Sequence, residues 1–143
     1  MALVFCRTKA TVHRLTRYLR DHRIDCREIH GDLVQQRRNR VMDSLRRGNI
    51  DVLVASDLAA RGLDVDHITH VVNYDLPEDP ELYVHRIGRT ARAGRGGVAW
   101  SFVTPEQGIL LTEIEKFAGV LIEKLEYDEF RPGPVPTHVQ EQR

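Results

Sequence analysis

Short apolar runs alternate with stretches of helical period along most of this chain. Ala2-Leu3-Val4-Phe5 reads as a strand. It starts with no lead-in, which suggests a segment cut from a longer chain. Val12, Leu15 and Leu19 then share one helical face while Arg14, Arg17 and Arg20 fall elsewhere, predicting a helix from Lys9 to about Asp21. A weaker strand is predicted near Cys26 to His30. A basic helix from about Gln35 to Arg47 follows, with Val41 and Leu45 on its apolar side and Gly48 at its C-terminal cap. The run from Asp51 to Ala55 is continuously apolar after its first residue, as in a parallel sheet covered on both faces. A loop and a short helix lead to a strand at His70 to Tyr74, and Leu76-Pro77 breaks the pattern. A short helix is predicted from about Pro80 to Arg89, then a glycine-rich bend at Gly94, Gly96 and Gly97. A strand from Val98 to Val103 and a helix from Gln107 to Ala118 complete the series.

Strands and helices thus alternate about five times, which argues for an α/β fold with a doubly wound parallel sheet. Residues 1–131 are expected to form one domain. Residues 132–143 carry Pro132, Pro134 and Pro136 without periodicity and read as a tail or linker. In such sheets ligands gather at the carboxyl ends of the strands. Those ends carry Arg7-Thr8-Lys9, His30-Gly31-Asp32, Ser56-Asp57 and Asn73-Tyr74-Asp75, so most of the distinctive polar residues fall on one rim.

Composition adds little except through its distribution. With 41% hydrophobic and 29% charged residues the chain is ordinary for a soluble domain. No apolar run approaches the ~18 residues of a membrane span, and no secretory leader is visible. Cys6 and Cys26 have no metal-ligand spacing and read as buried thiols of a reducing, cytoplasmic protein. Net charge is zero, yet residues 1–50 hold 12 Lys/Arg against 5 Asp/Glu, and residues 85–100 hold 4 against none. Basic stretches are often solvated faces, but these contain the motif-like segments, which points to phosphate ligands.

In a helix, His85, Arg89 and Arg92 would lie at about 0°, 40° and −20° around the axis, on one face. Neighbouring guanidiniums need a polyanion or a set of carboxylates. The residues alone leave open a salt-bridge cluster with the acidic stretch 75–81.

Five segments together resemble the motifs of DEAD-box RNA helicases, in order and in register over about residues 2–104. The run from Ala2 to Lys9 resembles motif IV, and His30 to Arg38 the segment ending in Q-x-x-R. Val52 to Asp64 resembles motif V, Tyr74-Asp75-Leu76-Pro77 is a family marker, and His85 to Arg95 resembles motif VI. The resemblance implies the C-terminal RecA-like (P-loop NTPase-like) domain, a three-layer sandwich around a central, mostly parallel sheet. It implies that Arg89 and Arg92 reach the γ-phosphate of an ATP held mainly by an N-terminal RecA-like domain, Arg92 as arginine finger. His85 would couple the motif to that other domain, and Asp64 and Gly62 would belong to the nucleotide site. Thr8, Gly31, Gln35, Arg38 and Ser56 would grip the RNA backbone without reading bases. Ser56 and Ala91 stand where many members have Thr and Gly.

Local readings compete at several of these positions. Thr8 suits a helix N-cap, Gln35 a capping-box partner of Asp32, and Asp64 a loop carboxylate or cap. His85 suits a helix-surface imidazole, Gly62 a turn, and Arg61 a loop organiser. Arg37, Arg40, Arg46 and Arg47 suit a solvated helix face. The chain contains no G-x-x-x-x-G-K-[ST] loop and no Asp-Glu-Ala-Asp string, so Mg²⁺ and most of the nucleotide are expected on the other domain, and the fragment is expected to be monomeric and inactive alone. A DNA translocase and a non-catalytic interaction module remain as other readings.

Overall fold

The computed structural model describes residues 1–61, 63, 68–89, 97–126 and 128–129. Five strands form one sheet: β1 (Ala2–Cys6), β2 (Cys26–Ile29), β3 (Val52–Ser56), β4 (His70–Asn73) and β5 (Val98–Ser101). Their order is β2-β3-β1-β4-β5 and every pairing is parallel. The chain begins at the central strand, crosses to β2 at one edge, returns to β3 between them, then passes to β4 and β5 on the other side. The helices are α1 (Lys9–Asp21), α2 (Gln35–Arg46), α3 (Asp57–Ala60), α4 (Pro80–Ile87) and α5 (Gly108–Ala118), with a 3₁₀ turn at Pro105–Gln107. No helix among the described residues is long and apolar enough to cross a membrane.

Strand alternation divides the core into two layers. Leu3, Phe5, Leu53 and Ala55 point to one face and pack with Val41 and Leu45 of α2 and Ala59 and Ala60 of α3. Val4, Cys6 and Val54 point to the other and meet Val12, Leu15 and Leu19 of α1. A third cluster, Leu76, Tyr83 and Ile114, joins α4 to α5. Cys6 and Cys26 are fully buried free thiols, and burial pushes the Cys6 thiol up to about 12.

Elements fall within about a residue of where the periodicity puts them, except at two ends, and the strands differ in burial. Gly48 closes α2 as expected, at φ 69°. The first difference is at α4, which stops at Ile87 and is capped by Gly88, two residues short of the expected end at Arg89. The second is at β5, which stops at Ser101, two residues short of the predicted end. The third is burial. β3 is enclosed on both faces, whereas on β5 Val98 and Trp100 stay exposed, as does Phe102 just beyond it. These side chains lie on the α1 side of the sheet, but α1 packs mainly over β1, β2 and β3. Trp100 rests edge-on against His70 and Phe102 against Tyr74, at ring-centroid distances of 5.5 and 6.0 Å.

Candidate functional site

The carboxyl ends of β1, β2 and β3 bring the expected RNA-side residues to one rim. Thr8 follows β1 in extended conformation and caps α1: its hydroxyl accepts from the Thr11 amide at 3.2 Å and donates to the Thr11 hydroxyl at 3.0 Å. The helix-cap reading of Thr8 is therefore realised. Beside it, Lys9 holds Asp32 at 2.6 Å, linking the loops after β1 and β2. The Lys9 ammonium, by hydrogen bond and charge, pulls the Asp32 carboxyl below its ordinary value.

Gly31 lies between these groups in open space, where an added Cβ would meet nothing within 4 Å. Gln35 does not cap with Asp32. The N-cap of α2 is Val34, which has no side-chain cap bond, and the Gln35 amide donates to Asn39 at 2.8 Å, one turn along the helix. Arg38 points inward from α2 and donates to the Ala59 carbonyl at 3.2 Å, which ties α2 to α3. Ser56 precedes α3 with its hydroxyl making no cap bond.

The motif after β4 divides into a locked part and an open part. Arg86 is 2% exposed, deeper than any other charged side chain among the described residues. Its guanidinium forks onto Asp57, at 2.6 Å from Nε to Oδ1 and 2.7 Å from Nη2 to Oδ2. Nη1 donates to the Asp75 carbonyl at 2.6 Å and to Asn73 Oδ1 at 3.3 Å, and the group stacks over Phe5 at 5.1 Å. A buried guanidinium is tolerated only when its donors are satisfied in this way. This bond network joins the ends of β1, β3 and β4 to α4, one turn before Arg89. Sequence reasoning assigned Arg86 and Asp57 no role. The signal was present, since Asp57 stands on the rim list and Arg86 inside the motif, but 29 residues separate them.

Arg89 follows the cap of α4 in a tight turn, its amide bonding the Arg86 carbonyl at 3.2 Å. Its Nη1 donates to the Leu63 carbonyl at 3.2 Å. Leu63 stands in sequence between Gly62 and Asp64, so Arg89 adjoins the segment expected to meet the nucleotide. His85 is an exposed residue on α4, with Nε2 3.9 Å from Glu81 Oε1. Gly62, Asp64 and Arg92 lie outside the described residues.

The acidic stretch serves other partners. Arg7 donates from its backbone to Asp75 at 2.8 Å and from its side chain to the Leu76 carbonyl at 3.0 Å, and it pairs with Glu78 at 3.1 Å. Among the described residues no cluster of three or more His, Cys, Asp or Glu side chains could hold a metal ion.

Similarity to known proteins agrees with this geometry. The family model for the helicase conserved C-terminal domain matches residues 1–94. A DEAD-box ATP-dependent RNA helicase CshA of Bacillus cereus is 51% identical over 116 residues, 81% of this chain and 22% of the relative. The chain thus spans about a fifth to a quarter of the length of the curated relatives it matches. Among solved structures, the E. coli DEAD-box protein SrmB, bound to the regulator of ribonuclease activity A, superposes with a TM-score of 0.85 at 40% identity, over 95% of this chain and 81% of that one. S. cerevisiae Dbp5 bound to RNA and ADP BeF3 gives 0.79 at 40% identity, over 85% and 33%. The fold, the motif order and these similarities agree: the chain belongs to the helicase conserved C-terminal domain family, as a RecA-like domain of the DEAD-box kind.

Proposed function

We propose that this chain is the C-terminal half of an ATP-dependent RNA helicase that completes an interdomain ATP site and grips the RNA backbone. The observation that supports this most is the fixed position of Arg89, held at the Leu63 carbonyl one turn after the buried Arg86–Asp57 fork. A guanidinium set on a rigid base is what a developing phosphoryl charge requires, because stabilisation then costs no reorganisation.

In this reading Arg89 and Arg92 face the γ-phosphate of an ATP bound by an N-terminal RecA-like domain, with Arg92 as the finger. Asp64 and Gly62 approach the ribose side. His85, exposed on α4, meets the opposing domain. Mg²⁺, held by that domain, would neutralise phosphate charge. Thr8, Gly31, Gln35, Arg38 and Ser56 take phosphates and sugars, so binding is sequence-tolerant and weakens with salt. Closing of the two domains by ATP would then separate short RNA duplexes locally. The protein acts in the cytoplasm, and the fragment alone turns over no ATP.

The test is RNA-stimulated ATPase of the full parent protein, wild type against Arg92→Ala. The expected loss is about 10³-fold, the low end for an arginine finger. Activity within a few fold of wild type, with the fold intact, would favour a non-catalytic interaction module.

A further inference from the structure

A second basic feature lies away from the motifs, along the outer edge of the sheet. β2 is an edge strand. Beside it α1, β2 and α2 enclose an open cleft of about 190 Å³ lined by Arg20, Arg27, Arg37 and Arg40, with Glu28 among them. Two of the arginines are structural: Arg20 donates twice to the Cys26 carbonyl at 3.1 Å, and Arg27 pairs with Asp25 at 2.6 Å. Glu28 is turned toward His13 at 3.2 Å. The side chains of Arg37 and Arg40 make no hydrogen bond or ion pair among the described residues.

Their placement on α2 is directional. Leu45 faces the core and Val41 borders both core and cleft, whereas Arg37, Arg40 and Ser44, spaced i, i+3 and i+7, line the cleft. At 1.5 Å per residue, Arg37 and Arg40 lie about 3 and 8 Å along the axis from Gln35. Arg37 therefore lies just below the rim, and the cleft runs from there toward the amino ends of the strands, where Arg20 stands in the last turn of α1 and Arg27 near the start of β2. Four guanidiniums around one small cleft repel each other, and an anion relieves that repulsion. Charges that merely guard a sheet edge belong on the edge strand itself. Here the two unpaired ones come from a helix.

We infer that this cleft binds the RNA backbone where the strand leaves the rim, with a phosphate held between Arg37 and Arg40. The inference rests on the RNA-binding reading above and extends it. No aromatic side chain lines the cleft, so bases would stay unread and the contact would be electrostatic.

The experiment uses the full parent protein with a non-hydrolysable ATP analogue and fluorescent oligouridylates of about 6 and about 20 nucleotides. Affinity is read by anisotropy across a salt series, for wild type, Arg37→Gln/Arg40→Gln and Arg37→Lys/Arg40→Lys. The Gln variant should lose about tenfold on the long RNA and under about twofold on the short one. Its salt slope on the long RNA should fall by about 1.4, the value for two lost phosphate contacts on a single strand. The Lys variant should stay within about threefold of wild type, because charge carries the contact. Equal losses on both lengths would overturn the inference, since the arginines would then act through the rim or the fold. So would an unchanged affinity for the long RNA, which would leave the cleft to an acidic protein partner. Failure of wild type to bind either RNA would sink the RNA-binding reading itself, and this extension with it.

Discussion

Arg86 and Arg89 stand three residues apart in one motif and meet opposite fates. Arg86 is sealed beneath the rim, with Asp57, Asn73, the Asp75 carbonyl and the Phe5 ring all around it. Arg89 sits at the end of α4, just past its cap, and reaches back to one loop carbonyl. The rim residues resemble Arg89: Thr8, Gly31, Gln35 and Ser56 have local partners or open space. A buried charge committed to the fold makes a rigid base beneath groups that stay partly exposed.

The strongest way to break this contrast is Asp57→Ala. It would leave the Arg86 guanidinium buried without its carboxylate and should destabilise the protein by about 3–5 kcal/mol in urea unfolding. Adding Arg86→Met should recover much of that loss, because the unpaired charge goes with it. A cost for Asp57→Ala below about 1 kcal/mol would put the pair on a par with a surface salt bridge.

A gentler probe separates folding from ligand binding at the rim. Thr8→Ala should cost about 1 kcal/mol through loss of the α1 cap, whereas Thr8→Asp should keep the cap. If Thr8 also meets RNA, Thr8→Asp should weaken RNA binding through charge repulsion while the melting temperature holds. Unchanged RNA affinity would reduce Thr8 to a cap.

The smallest effect concerns the Lys9–Asp32 link. The folded carboxyl sits below its unfolded value, so the link contributes above the ordinary carboxylate range and fades as pH falls through the lowered value. An NMR titration of the Asp32 carboxyl should move upward in Lys9→Ala. No movement would mean that the two loops are not coupled through this pair.

Much of the fold was legible because run length and period are local properties. β3 shows as a continuous apolar run and α1 as a stripe of Val12, Leu15 and Leu19, and both stand where those patterns put them. The predicted helix to Arg89 overran by two residues, because α4 ends at Ile87 with Gly88 as its cap. At β5 the pattern shows the strand, but nothing in it says that α1 stops short of it. The Asp57–Arg86 fork was out of reach for another reason. Its partners meet only once β3 and β4 flank β1, and that order is a property of topology. Gln35 had two side-chain partners within one turn, and sequence could not choose Asn39 over Asp32.

The uncovered flank of β5 has a practical consequence. Trp100 is the only tryptophan of the chain, 47% exposed and edge-on to the His70 imidazole. Its emission therefore reports on the far edge of the sheet. A denaturation series that follows intrinsic fluorescence will register unfolding while staying blind to a ligand that settles on the rim.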